Sequence, residues 1–394
     1  MKVKRTAVVC VLLAAVLSLV PWQARSQPRT LRIGFVSTLS GGGAALGVDV
    51  LDGFNLALRH LGNRLGGLPV EVLTADDQQN PDVARSAVER LLRRDRADLL
   101  TGIIFSNVLL AVGDLVFGSG VFYISPNAGP SEYAGSQCNL HFLNVAWQND
   151  NLHEAMGHYA QLKRYETAFI LAPNYPAGRD ALTGFKRFYK GQVVSEVYTR
   201  LGQLDYSAEI AQIRAARPRA VYAFYPGAMG VNFIKQYAEA GLMQQVPLLL
   251  PGFSADADVI RAVGKPMVGV FNSSHWALEL FNPINRRFVE DFRRSYNRVP
   301  ALYASQGYDA ALAIDHGLRA VGGDLSRKAE FRNAILSGFD STRGRVRFNR
   351  NGYPIQNYYL RQVVESANGE VVNRLVGTIF RNHGDAYASQ CRLR

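Results

Sequence analysis

Between residues 31 and 125 the hydrophobic period switches back and forth between the two-residue beat of a strand and the 3.6-residue beat of a helix. Leu31 to Thr38 reads as a strand, a glycine loop from Ser40 to Gly47 follows, and Val50, Phe54, Ala57, Leu58 and Leu61 mark one face of a helix. Strands are expected again over 69–75, 98–104 and 121–125, with helices over 81–94, capped by Asn80, and over 106–117. A second alternation starts after Gln148, with helices over 152–163, 177–189, 208–216 and 229–240 and strands over 168–172, 193–198, 220–225 and 246–250. Helices then dominate, at 283–296, 303–321 and 326–337, before short strands near Val346, at 358–364 and at 371–380. Strand–helix order of this kind builds a parallel sheet covered by helices. A chain of 394 residues has room for two such α/β lobes, and its tail is too small for a third domain. The late helices are expected to return to the first lobe and the last strands to the second. Ligands of such sheets bind beyond the carboxyl ends of strands, so the loops after each strand are where a site is expected.

The first 26 residues have a different character. Lys2, Lys4 and Arg5 precede an apolar run from Ala7 to Val20, followed by Pro21 and the small residues Ala24 and Ser26. This is the pattern of a secretory signal peptide, with cleavage expected after Ser26. The run is shorter than the ~20 residues a spanning helix needs, and Cys10, behind Ala7, Val8 and Val9, is a poor lipoprotein processing site. The mature chain is therefore expected in the periplasm of a Gram-negative bacterium. Its formal charge falls from +12 to +8 without the leader, and the remaining charges alternate in sign along helices, as at Glu89, Arg90, Arg93, Arg94 and Asp95. Such a surface offers no basic block to nucleic acid. Losing Cys10 leaves Cys138 and Cys391, an even count in an oxidising compartment; a disulfide is expected, the alternative being two free thiols.

Several motifs imitate enzyme sites. Gly41, Gly42, Gly43 and Gly47 sit where a dinucleotide loop would, and Asp76 ends the second strand, the place of a ribose-binding acid. Tyr159 and Lys163 form a Tyr-x-x-x-Lys pair without the Ser that supports it in short-chain dehydrogenases. An exported NAD-dependent oxidoreductase is therefore the alternative from the enzyme class; the plainer reading is a glycine loop whose amides line an anion site. His153, Glu154 and His158 imitate a zinc-protease helix, but histidines five apart diverge by about 140° around it. Ser254 lacks the second glycine of a nucleophile elbow. No catalytic residue, cofactor or metal is expected.

Ile33-Gly34-Phe35 with Leu39-Ser40-Gly41 through Gly47, the segment 102–106, Ile124-Ser125-Pro126, Tyr175 with Gly178, Met229-Gly230 through Ala240-Gly241-Leu242, and Gly307-Tyr308-Asp309-Ala310 follow in a telling order. Together they resemble the periplasmic solute-binding proteins of the branched-chain amino-acid (leucine/isoleucine/valine-binding) type, which feed ABC importers. The resemblance covers nearly all of the mature chain. It implies the type I periplasmic binding protein fold: two Rossmann-like α/β lobes joined by three crossovers, with the solute clamped in the interlobe cleft by hinge closure and no covalent chemistry. The implied division is a leader at 1–26, lobe 1 at 27–145 and 275–353, and lobe 2 at 146–274 and 354–394. The implied partners are a small-molecule solute and an ABC permease with its ATPase at the inner membrane.

Ser106 matches the position whose hydroxyl and amide hold the ligand carboxylate, at a helix start that favours an anion. Asn127, Ala128 and Gly129 match a loop supplying further backbone contacts. Leu46 stands where amino-acid binders of this family commonly place an aromatic ring, and Tyr175 matches a ring closing from the second lobe. Trp147 and Tyr225, at a crossover and a strand end, are candidates for the cleft or for ordinary packing.

Gly252 is a departure: amino-acid binders of the family resemble one another in a Glu there, which neutralises the ligand ammonium, whereas this chain reads Pro251-Gly252-Phe253. A buried ammonium without its partner costs roughly 3–5 kcal/mol, two to three decades of affinity. An anion site without a cation site, beside Phe253, Tyr175, Tyr225 and Trp147, suits a carboxylate on a flat apolar body. The stretches 125–130, 147–150, 172–175, 201–208 and 354–358 are similar to the branch of the family associated with aromatic acids, which implies a benzoate or hydroxycinnamate as solute. Within the fold, the alternative is a branched-chain amino-acid or amide binding or sensing protein.

Overall fold

The structure, a computed structural model, describes residues 29–393; the leader expected at 1–26 lies outside them. Strands β1 (Leu31–Ser37), β2 (Arg64–Leu65), β3 (Leu68–Asp76), β4 (Leu99–Thr101), β5 (Phe122–Ser125) and β6 (Phe142–Asn144) form one sheet in the order β2-β3-β1-β4-β5-β6. Every pairing in it is parallel except that of the edge strand β2 with β3. Between these strands lie α1 (Ala44–His60), α2 (Pro81–Arg93), α3 (Ser106–Gly118) and the single turn α4 (Ser131–Ala134). Asn80 caps α2 as its sequence announces: the side-chain oxygen accepts from the amides of Asp82 at 2.8 Å and Val83 at 3.4 Å, with Pro81 at the first helical position.

The chain then crosses to a second α/β lobe. Helices α5 (Asn151–Leu162), α6 (Pro176–Phe188), α7 (Ser207–Ala216), α8 (Ala228–Glu239) and α9 (Ala257–Val263) alternate with strands β7 (Thr167–Pro173), β8 (Gln192–Thr199), β9 (Ala220–Ala223), β10 (Leu248–Pro251) and β11 (Phe271–Ser274). These strands pair in parallel in the order β11-β10-β9-β7-β8. After β11 the chain turns back: α10 (Pro283–Tyr296), α11 (Leu302–Ala320) and α12 (Lys328–Leu336) come next, and α11 lies along α1 of the first lobe. The hairpin β12 (Phe339–Ser341) and β13 (Gly344–Phe348) is tied to α11 by Thr342, whose amide donates to Asp309 at 2.8 Å. β13 then hydrogen-bonds into β14 (Pro354–Glu365), which with β15 (Val371–His383) completes the second sheet on its β11 side.

Two glycines set the closest helix crossing. A Cβ at Gly53 would fall 1.8 Å from the carbonyl oxygen of Ala304, and one at Gly307 would fall 1.9 Å from that of Val50, so α1 and α11 meet backbone to backbone. Gly47 has the same kind of use, since a Cβ there would lie 1.9 Å from the carbonyl oxygen of Thr38. The glycine loop thus serves helix–strand and lobe–lobe approach: Gly42 faces Ala228, and the Gly42 carbonyl faces Gly227. Cys138 and Cys391 form the expected disulfide, with Cα atoms 5.6 Å apart. It pins the C-terminal tail beside the crossovers, where Asp385 accepts from Asn349 at 2.8 Å and from Asn351 at 3.1 Å, and Tyr387 donates to Asp150 at 2.9 Å.

Candidate ligand-binding site

Ser106 is the first residue of α3, and Phe105 ahead of it, extended at φ −95° and ψ 132°, turns the chain into the helix without a side-chain cap. The first amides of a helix have no acceptor within it, and this helix starts on the wall of a cavity between the lobes. The cavity holds about 360 Å³ of empty space, its mouth included. The first lobe contributes Leu46, Ile104, Phe105, Ser106 and Asn127; the crossover after β6 contributes Trp147 and Asn149; the second lobe contributes His153, Tyr175, Ala177, Phe224, Pro226 and Phe253. Tyr303, in the first turn of α11, closes the ring.

The polar groups are neutral. Asn149 donates from Nδ2 to the Ser106 hydroxyl at 3.1 Å and to Asp180 at 2.9 Å, and its Oδ1 accepts from the Gly129 amide at 3.0 Å. The Ser106 oxygen is thereby an acceptor towards Asn149, which leaves its proton to donate elsewhere. Asn127 donates to the Ile104 carbonyl at 2.6 Å, while its Oδ1 is buried without a partner among the described residues. His153 is bonded through Nδ1 to the Tyr222 hydroxyl, and burial pushes its pKa down to about 3, so the ring is uncharged at neutral pH. Among the described residues no Asp, Glu, Lys or Arg lines the cavity.

The apolar walls are ring upon ring. Trp147 meets Phe253 edge to face at 4.4 Å, Phe253 meets Phe224 at 5.5 Å, and His153 meets Phe224 at 4.9 Å. Phe105 of the first lobe and Tyr175 of the second face each other across the cleft at 6.2 Å. Such a slot matches a flat apolar body better than a charged one.

Of the residues singled out in the sequence, Leu46, Ser106, Asn127, Trp147, Tyr175 and Phe253 line the cavity, and four do not. The amides of Ala128 and Gly129 are already taken, by the Ile103 carbonyl at 3.5 Å and by Asn149. Tyr225 turns to the other side of its strand end, where it packs on Tyr206 at 4.8 Å and Phe233 at 5.1 Å, leaving Phe224 to face the cavity. A Cβ at Gly252 would point into packed interior, 2.8 Å from Leu302 and 3.1 Å from a nitrogen of Arg361, so a Glu there would head for Arg361 and not for the cavity. Gly252 therefore takes no part in the cavity, whose lining, among the described residues, holds no carboxylate. Ile104, Phe105, Asn149, His153, Ala177, Phe224, Pro226 and Tyr303 are the lining residues that the sequence reading did not assign to a binding site.

The enzyme-like motifs come apart in space. His153 serves the cavity, Glu154 pairs with Arg187 and with His383 at 2.5 Å, and His158 packs on Phe380 at 5.1 Å. A larger cavity of about 1020 Å³ borders Arg298 and Arg361, but their charges are already paired, Arg298 with Asp49 and Asp52 and Arg361 with Asp256 at 3.3 Å.

A family model described as periplasmic binding protein matches residues 30–370. The Leu/Ile/Val-binding protein homolog 6 of Brucella melitensis is 27% identical over 369 residues, covering 90% of this chain and 93% of that one. A solute binding protein of an ABC transporter from R. palustris, solved in complex with benzoate, superposes with a TM-score of 0.87 at 30% identity, covering 93% of this chain and 100% of that one. The leucine binding protein LivK from Thermotoga maritima, at 21% identity, shares the fold with a TM-score of 0.77, covering 88% of this chain and 98% of that one. Among the described residues no helix is long and apolar enough to cross a membrane. Two α/β lobes around a cavity, matched over nearly their whole length, lead to one conclusion: the chain belongs to the periplasmic binding protein family, as a solute-binding protein of an ABC transporter and not an enzyme.

Proposed function

We propose that this protein captures an aromatic carboxylate, of benzoate or hydroxycinnamate type, in the periplasm and delivers it to an ABC permease with its ATPase. The observation that carries this reading is the lining itself: Phe105, Trp147, Tyr175, Phe224, Phe253 and Tyr303 surround a cavity without a charged side chain, beside the start of α3. In this reading the carboxylate sits at Ser106, taking its hydroxyl proton and the first-turn amides, with Asn127 and Asn149 alongside. The ring lies between Trp147, Tyr175, Phe224 and Phe253. The 30% identity to the R. palustris protein solved with benzoate supports the ligand class. Residues 1–26 are removed on export, and the lobes, 27–145 with 275–353 and 146–274 with 354–394, close on the solute about the crossovers.

A thermal-shift panel on the mature protein tests this, because a ligand that binds only the native state raises its midpoint, by about 2.7 kcal/mol of stability at a hundredfold excess over Kd. Benzoates or hydroxycinnamates are expected to shift the midpoint, while leucine, aliphatic dicarboxylates and NAD leave it in place. A shift with leucine alone returns the protein to the amino-acid binders, and a shift with NAD alone refutes the binding-protein reading.

A further inference from the structure

Resting on that reading of the cavity, we propose that His153 recognises a hydroxyl group on the ring of the bound acid, so that the preferred solute is a hydroxylated aromatic acid. His153 stands apart from the groups assigned to the carboxylate. It belongs to α5 of the second lobe and is flanked by Phe224 at 4.9 Å and Phe253 at 5.7 Å, neither of which offers a hydrogen bond. Its Nδ1 is taken by the Tyr222 hydroxyl, and among the described residues its Nε2 has no protein partner, although the residue lines the cavity. Burial keeps the ring neutral, so it adds no charge with which to attract the carboxylate.

A neutral imidazole has one donor and one acceptor nitrogen, and the bond to Tyr222 decides which of the two Nε2 becomes. If Tyr222 donates to Nδ1, Nε2 carries the proton and donates; if Nδ1 donates to Tyr222, Nε2 accepts. A phenolic hydroxyl both donates and accepts, so it satisfies Nε2 in either case, whereas an ether oxygen satisfies only one. An unsubstituted ring satisfies neither and buries a bare nitrogen against carbon, which is the situation in which a site rejects the analogue lacking a hydroxyl.

The test is calorimetric titration of the mature protein, and of its His153→Phe variant, with benzoate, 3-hydroxybenzoate and 4-hydroxybenzoate. The wild type is expected to bind one of the two hydroxy acids about tenfold tighter than benzoate, as one hydrogen bond at a buried group gives. The variant, which keeps an aromatic ring, is expected to lose the preference, binding neither hydroxy acid tighter than it binds benzoate. Equal wild-type affinity for all three acids overturns the proposal, as does a preference that survives in the variant. Should the variant not fold, ¹⁵N NMR of the wild-type imidazole decides: the Nε2 resonance moves on adding the preferred hydroxy acid but not benzoate, and a resonance unmoved by either hydroxy acid refutes the assignment. Binding of leucine with no binding of any aromatic acid overturns the carboxylate-on-a-ring reading itself, and this inference with it, an outcome distinct from equal binding of the three acids.

Discussion

Ser106 combines two tasks that one residue at a helix start performs together: it opens α3, and it offers a hydroxyl whose oxygen already accepts from Asn149. Removing that hydroxyl takes away one charge-assisted donor to a bound carboxylate, so Ser106→Ala is expected to weaken binding of an aromatic acid by about 1.5–3 kcal/mol, ten- to a hundredfold in Kd. Calorimetry checks this, and an unchanged Kd removes Ser106 from the site. At this scale the sequence was legible in type more than in direction. Phe224 and Tyr225 are neighbours at one strand end, and side chains there point to opposite faces, so of the two uses left open for Tyr225 the structure gives it packing, and Phe224 supplies the cavity ring. Gly129 failed for a different reason, since whether an amide is free depends on Asn149, 20 residues away. His153 drew notice as a fragment of a metal motif, and its actual use follows from Tyr222, 69 residues away, which no local spacing reveals.

Elements with a sustained period were readable, and of the short ones only those made of apolar residues were. The strands β1, β3 and β7 and the helices α2, α3 and α11 fall within a few residues of their expected spans, because each presents enough residues to show a two- or 3.6-residue beat, while α1 begins at Ala44, inside the stretch read as a glycine loop. β6, with three residues, and β11, with four, were missed along with the helix α9, whereas the equally short β4, β5, β9 and β10 were expected from their apolar runs. β11 is also disguised by composition, as Phe271-Asn272-Ser273-Ser274 reads like a turn. It is nonetheless buried because its polar groups find distant partners: Asn272 donates to Asn373 at 2.7 Å and accepts from Arg361 at 2.9 Å, and Ser273 donates to the Leu152 carbonyl at 2.6 Å. Buried polar groups so paired cost little. β6 and β11 lie where the chain leaves one lobe for the other, which is why the repeated return was inferred from the late helices and not from the crossovers themselves.

Across the whole molecule, the lobes meet through carboxyl groups as well as through rings. Burial, with the neighbouring charges of Asp49 and Asp256, pushes the Asp258 carboxyl on α9 up to about 7; burial likewise pushes Asp49 on α1 up to about 6, against the pull of Arg298. A carboxyl whose folded pKa exceeds its unfolded value binds more protons in the native state, so its contribution is complete below about pH 4 and is lost as pH rises through about 7. Asp258→Asn removes one such group. The variant is expected to lose less stability than the wild type between pH 4 and pH 8, by a difference on the order of 3 kcal/mol, read from urea unfolding at both pH values. Parallel pH profiles would show that Asp258 titrates normally.

In the proposed reading the cavity accepts a carboxylate on a ring, and no carboxylate among the described lining residues can pair with an ammonium. Calorimetric titration of the mature protein with 3-phenylpropanoate and with phenylalanine tests it most directly, since the two differ only by that ammonium. The acid is expected to bind at least about a hundredfold tighter, the cost of burying an unpaired cation. Phenylalanine binding as tightly as the acid, or more tightly, would contradict the account.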